Sequence, residues 1–136
     1  MGMTLAVARG VIEALLGEAE RAAPDECCGL LLGEGAIESM IPAVNVADYP
    51  RRRFEIDPAV LIAAHKAERV GGPKLAGYYH SHPAGPPEPS VADAAQAARD
   101  GRVWAIVGQT ATAREVRFWR DGPEGFEALS YTLAPG

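Results

Sequence analysis

Two histidines one residue apart, in His80-Ser81-His82, are followed by a proline-rich stretch, then Ser90, and three residues later Asp93. Alternate residues of a β-strand point to one face. A strand here would turn both imidazoles the same way, with Cα atoms about 7 Å apart at a rise of ~3.3 Å per residue. Imidazoles so placed can close on one ion at Zn–N distances of about 2.0–2.1 Å. Asp93, in the first turn of a helix opened by Ser90, could add a carboxylate oxygen. Two histidines and a carboxylate leave a fourth position for water, which is what separates catalytic from structural zinc. Plainer readings exist for each part. A single histidine is commonly structural, and Ser90-x-x-Asp93 also fits a helix N-cap with an acid at the third helical position. The two readings of Ser90 are compatible, because a capping serine keeps its hydroxyl at the helix mouth in either.

The elements that must position these residues follow from pattern. Lys74 to His82 (KLAGYYHSH) reads as a strand. Pro83 to Pro89 (PAGPPEP) holds four prolines and a glycine, which excludes regular structure. Such a loop has few backbone states to lose on ordering, so it fixes where the next helix arrives relative to the histidines. Ser90 opens an alanine-rich helix predicted to run to Gly101. Upstream, Thr4 to Ala8 reads as a strand. Val11, Ile12, Leu15, Leu16 and Ala19 recur at helical spacing, with Pro24 just beyond. Cys27 to Gly33 is a short apolar run of the buried-strand kind. Ile37 to Val46 reads as a strand in which Pro42 marks an edge or bulge, and Phe54 to Ile56 as a short one. Asp57-Pro58 starts a helix with an apolar stripe of Val60, Leu61, Ala64 and Ala67, stopped by Gly71-Gly72. Arg102 to Val107, Arg114 to Trp119 and Phe126 to Leu133 supply the late strands. Irregular alternation of strands and helices predicts an α/β (α+β) fold, one mixed sheet sandwiched by helices.

Composition bounds the function. The chain has 136 residues, 48% of them hydrophobic and 23% charged, the size and balance of one globular domain spanning 1–136. A net charge of −5 argues against a dedicated nucleic-acid binder and against a module for anionic membranes. No apolar run approaches the roughly 20 residues that span a bilayer, and no signal-peptide pattern opens the chain. Cys27 and Cys28 are adjacent, a spacing that disfavours a disulfide, so a cytoplasmic location is expected. The two thiols are expected to pack in a buried strand, although a nucleophile or thiolate ligand is the alternative. His65 falls mid-helix and is expected to face solvent or the rim. Arg51-Arg52-Arg53 is either a solvated loop or a contact for a carboxylate-bearing partner. Tyr78 and Tyr79 read as core and rim residues, and Trp104 and Trp119 as core anchors of late strands.

The segment HSHPAGPPEPSVAD, as His-x-His-Pro-x6-Ser-x2-Asp, resembles the signature of the JAMM (MPN+) zinc metalloprotease family. The upstream segment DECCGLLLG, with Glu26 ahead of its strand, resembles the glutamate segment of the same family. The likeness covers the chain from about Leu5 to Trp119 and implies a cytidine-deaminase-like MPN fold. It implies that His80, His82 and Asp93 ligate Zn2+. It further implies that Glu26 takes the proton of the attacking water and that Ser90 donates to the developing oxyanion. The implied activity is hydrolysis after the C-terminal glycine of a ubiquitin-like or sulfur-carrier protein, whose extended tail would lie along a sheet edge. A different zinc hydrolase or a deaminase fits less well, since position 82 is His where a deaminase has Glu, and no Cys-x-x-Cys follows. A non-catalytic MPN-type interaction module is the remaining alternative.

Overall fold

Residues Cys28–Leu32 are apolar without alternation, and they form a strand buried at all five positions. A strand reads this way when both of its faces are covered. It is one of eight in a mixed sheet: β1 (Thr4–Ala8), β2 (Cys28–Leu32), β3 (Ala36–Ile37), β4 (Ser39–Ala43), β5 (Leu75–Ser81), β6 (Val103–Gln109), β7 (Arg114–Gly122) and β8 (Gly125–Ala134). Three helices join them: α1 (Arg9–Ala22), α2 (Pro58–Arg69) and α3 (Val91–Gln96). This computed structural model describes residues 4–136. The strand order is β3-β1-β8-β7-β6-β5-β2-β4. The pairs β1–β3, β1–β8 and β5–β6 are parallel and the others antiparallel.

Helix α1 covers one face with Val11, Leu15 and Ala19, which pack against Leu31, Tyr79, Val107 and Phe118. On the other face, Val60, Leu61 and Ala64 of α2, with Phe54 and Ile56, close over Cys28, Leu30, Leu75 and Trp104. Fully burying such side chains contributes about 1.5–3 kcal/mol each. The period of two assigns neighbours to opposite layers. Cys27 and Tyr79 join the α1 side, while Cys28 and Tyr78 join the α2 side. Strand β5 lies inside the sheet, with Cys28 opposite His80 on one side and Ile106 on the other.

Most of the predicted elements are present, but two strands and the end of one helix differ. Residues 37–46 are not one strand: β3 and β4 divide the segment, and Asn45 makes only an isolated bridge to Ile56. The predicted strand at Phe54–Ile56 reduces to that bridge. The helix opened by Ser90 stops at Gln96, well short of Gly101. Arg99 takes φ 54°, its N–H donates to Asp121 Oδ2 at 2.9 Å, and Gly101 N–H donates to Asp121 O at 2.8 Å. Tertiary hydrogen bonds to β7 thus override alanine's helix propensity. His65 is exposed and Trp104 is core, as expected, but Trp119, expected in the core, is half-buried, with its Nε1 donating to Pro87 O. Among the described residues no helix is long and apolar enough to cross a membrane.

Candidate metal centre

His80 sits near the end of β5 and is fully buried. Phe54 stacks on its ring at 4.2 Å and 17°, and Trp104 meets it edge-on at 5.7 Å, so its orientation is fixed by packing. His82 lies one residue past the strand. Its N–H donates to Val107 O at 2.7 Å, and its Nδ1 lies 2.9 Å from Pro86 O. A carbonyl only accepts, so Nδ1 carries the proton, which makes Nε2 the nitrogen left to ligate when the ring is neutral. The proline loop that comes next is anchored as well as stiff. Pro87 is fully buried, Trp119 Nε1 donates to Pro87 O at 3.1 Å, and Gln109 N–H to Gly85 O at 2.7 Å. Gly108 permits this packing, because a Cβ there would overlap the Pro86–Pro87 backbone.

Helix α3 then delivers the third group. Ser90 Oγ accepts from Asp93 N at 3.0 Å, and Asp93 Oδ2 accepts from Ser90 N at 2.9 Å, a complete capping box. The same buried carboxylate lies 3.0 Å from His80 Nε2 and 3.1 Å from His82 Nε2, and the two ring nitrogens are 3.1 Å apart. Tetrahedral ligands 2.0–2.1 Å from an ion stand about 3.3 Å from each other. His80 faces Oδ1 and His82 faces Oδ2, and one ligand atom from each of the three residues lies within 4.8 Å of the others, so donor type and spacing fit one divalent cation. His80 Nδ1 is buried without a partner, so it lacks the outer hydrogen bond that His82 has.

Electrostatics favour the ligating states of Asp93 and His80, while His82 must give up a proton to bind a metal. Burial, with the charge of His82, holds His80 below its ordinary value despite the pull of Asp93. Burial also depresses His82, but the bonds to Asp93 and Pro86 outweigh it and leave that ring raised. Burial would raise Asp93, yet the two histidines hold it well below the usual carboxylate range. An ionised carboxylate beside a neutral imidazole is what metal binding requires.

Glu26 precedes β2 and is 6% exposed. Its backbone is fixed at both ends: its N–H donates to Pro50 O at 2.7 Å, and its carbonyl accepts from Asn45 Nδ2 at 3.0 Å. Its carboxyl has a buried oxygen, Oε1, with no partner. Burial pushes that carboxyl up to about 7, while His82 draws it down and Asp93 drives it up. Glu26, His82 and Ser90 together line a groove of about 490 Å³ walled by Arg51, Arg52 and residues 83–86 and 88–89. Its walls are loops, and neither open sheet edge, β3 or β4, contributes. Ser90 is exposed there. Because its cap uses an oxygen lone pair, the hydroxyl proton remains available to a second partner.

Thus all five expected site residues lie around one place. Three positioning residues escape a reading of the sequence. Ser81, between the histidines, faces the opposite layer. There its Oγ accepts from Cys27 N at 2.8 Å and its N–H donates to Cys27 O at 3.1 Å, which sets the height of Glu26 against β5. Asn45 donates to Glu26 O and Arg53 O and accepts from Ala47 N and Glu55 N, using its whole side-chain capacity. Phe54 reads from sequence only as a strand residue. An asparagine inside the apolar run Ile41–Val46 is the available signal for Asn45. Burial pushes Cys27 up to about 11 and Cys28 up to about 12, so both are packed thiols and not ligands.

The family of prokaryotic homologs of the JAB domain matches residues 8–122. The chain belongs to this family. This is the JAMM/MPN+ grouping that the HSHP motif resembles. One JAB-family relative, from Thermus thermophilus, is described as a probable TtuB-protein conjugate cleaving protease. It is 40% identical over 96 residues, covering 71% of this chain and 65% of that protein, so the chain spans slightly under two thirds of its length. A Haloferax volcanii relative described as a desampylase is 33% identical over 109 residues, 75% of this chain and 78% of that protein. A solution structure from Desulfitobacterium hafniense superposes with a TM-score of 0.84 at 27% identity, covering 98% of this chain and 94% of that one. A JAB1/MPN domain protein from Archaeoglobus fulgidus has the same fold, with a TM-score of 0.63 at 22% identity and coverage of 96% and 99%.

Proposed function

We propose that this JAB-family chain is a cytoplasmic zinc-dependent isopeptidase that hydrolyses the amide bond after the C-terminal glycine of a ubiquitin-like or sulfur-carrier protein. The observation that carries the reading is the ring of His80, His82 and Asp93 at 3.0–3.1 Å, in reach of a groove that also holds Glu26 and Ser90. The descriptions of the Thermus and Haloferax relatives, which concern protein conjugates, support the substrate class. Bound at these three residues, zinc would lower the pKa of water to about 7 and polarise the scissile carbonyl. Glu26 takes the proton of the attacking water and returns it to the departing amine, a role its raised carboxyl suits near neutral pH. Ser90 Oγ–H donates to the carbonyl oxygen as that atom gains charge. A purely structural protein would gain nothing from the unpaired buried oxygen of Glu26, which costs free energy where it stands. The tail would run between the Arg51–Arg52 turn and the proline loop, and not along a sheet edge.

The test is incubation with such a carrier bearing an amide-linked lysine or cysteine, read by mass spectrometry. Release of a carrier ending in its native glycine is expected, with loss on chelation and recovery on adding zinc. Glu26→Gln is expected to lower turnover by about 10²–10⁴-fold. Cleavage indifferent to chelation, or intact in that variant, would contradict the assignment.

A further inference from the structure

Arg51 and Arg52 are exposed, in a chain that carries five more negative than positive charges. Both nevertheless line the groove with Glu26, His82 and Ser90. Their neighbour Arg53 does not, since its guanidinium lies over the Tyr49 ring at 5.9 Å. Arg52 pairs with no carboxylate among the described residues. Arg51 has only Asp25, at 3.9 Å, with side chains 74% and 49% exposed. A surface pair so exposed holds weakly and yields readily to a better-placed anion. The turn itself is well anchored. Pro50 O accepts from Glu26 N, Tyr49 O accepts from Arg52 N at 3.0 Å and Arg53 N at 3.1 Å, and Asn45 holds Arg53 O at 3.1 Å. The two guanidinium groups are thus carried by backbone one hydrogen bond from the proton acceptor.

The polarity of the groove tells which part of a substrate meets them. On the reading above, the carbonyl oxygen turns to Ser90 and the scissile nitrogen to Glu26. Glu88, an acid, stands two residues before Ser90 in the groove wall, whereas the turn carrying the two arginines is bonded to Glu26 through Pro50 O. We infer that Arg51 and Arg52 form an anion-reading lip on the leaving-amine side, selecting substrates whose released amine bears a carboxylate close to the scissile nitrogen. A guanidinium fork matches a carboxylate in two parallel hydrogen bonds, and two adjacent forks can share one. The carboxylate has two possible sources: the α-carboxylate of a released amino acid, or an acidic side chain beside a modified lysine in a target protein. This inference rests on the proposed hydrolysis and adds the chemistry of its leaving group.

The experiment uses the zinc-loaded full chain and two matched pairs of substrates sharing one acyl-Gly-Gly group. In one pair the group acylates alanine or alanine amide. In the other it acylates the lysine ε-amine of Glu-Lys-Ala-amide or Gln-Lys-Ala-amide. The carboxylate member of at least one pair is expected to show a kcat/KM about tenfold higher, with the advantage shrinking as salt shortens the screening length. A preference confined to the alanine pair assigns a released amino acid, and one confined to the lysine pair assigns a protein carboxylate. Arg51→Ser with Arg52→Ser should bring the ratio near one. Arg51→Glu with Arg52→Glu should invert it toward a Lys-Lys-Ala-amide substrate, a gain that a misfolded protein cannot give. Efficient cleavage with equal rates within both pairs, or a preference surviving in the double variants, overturns the lip and leaves the hydrolase standing. Failure to cleave all four substrates overturns both.

Discussion

Helix α2 opens on Asp57, whose Oδ1 accepts from Ala59 N at 3.0 Å, with Pro58 in the first helical position. Helix α3 opens on Ser90, whose Oγ accepts from Asp93 N at 3.0 Å. The local chemistry is alike: a short polar side chain satisfies a backbone donor that a helix start leaves unpaired. The helices behind the two caps differ. Asp57 serves a helix of 12 residues that lies against the sheet through its own apolar stripe. Ser90 serves a helix of six, below the length at which helical propensity sustains itself. That short helix is held by its cap, by Gln96 Nε2 donating to Phe54 O at 3.0 Å, and by the Asp93 carboxylate facing two histidines of distant sequence. A cap becomes part of a site when its acid finds long-range partners, and at α3 the helix exists to present that acid.

The sharpest break between the two helix starts is expected from removing an acid at each. Asp93→Ala should release the metal and lower turnover by about 10³-fold or more, because Lewis-acid polarisation supplies several kcal/mol. Asp57→Ala should leave metal content and turnover as they are and cost only about 1 kcal/mol of stability, read by denaturant midpoint. Next comes Ser90, where cap and chemistry separate by choice of replacement. Ser90→Gly should cost a few tenths of a kcal/mol in stability, since glycine caps tolerably, yet still lose about 10²-fold in turnover. A Ser90→Gly enzyme of full activity would reduce Ser90 to a cap like Asp57.

The smallest effect concerns pH. Glu26 is raised in the folded chain to about 7 from an ordinary 4.5. The folded state therefore holds the proton more tightly between those values, and its contribution is complete below pH 4.5 and lost as pH rises through 7. After chelation, stability should decline over that window. Glu26→Gln should flatten the decline, and Asp57→Ala should leave its slope alone.

How legible each feature is in the sequence depends on the range of its interactions. The His80 and His82 pair is readable because a strand's period of two is a local rule, and Ser90 with Asp93 because a capping box spans four residues. The unbroken run Cys28–Leu32 announces a doubly covered strand. The end of α3 is hidden because Arg99 and Gly101 bond to Asp121 across the chain. Asn45 and Ser81 are hidden for the same reason: each fixes the Glu26–Cys27 backbone through a polar group whose partner lies far off in sequence. The arginine run is visible as charge, but only the fold places two of its three members on the groove.

The most direct measurement is the zinc content of natively purified protein, compared among the wild-type chain, Asp57→Ala and Asp93→Ala. One zinc per chain is expected in the first two and almost none in the third. A full complement of zinc in Asp93→Ala would show that the cation, if bound, is held elsewhere, and the convergence of His80, His82 and Asp93 would lose its meaning.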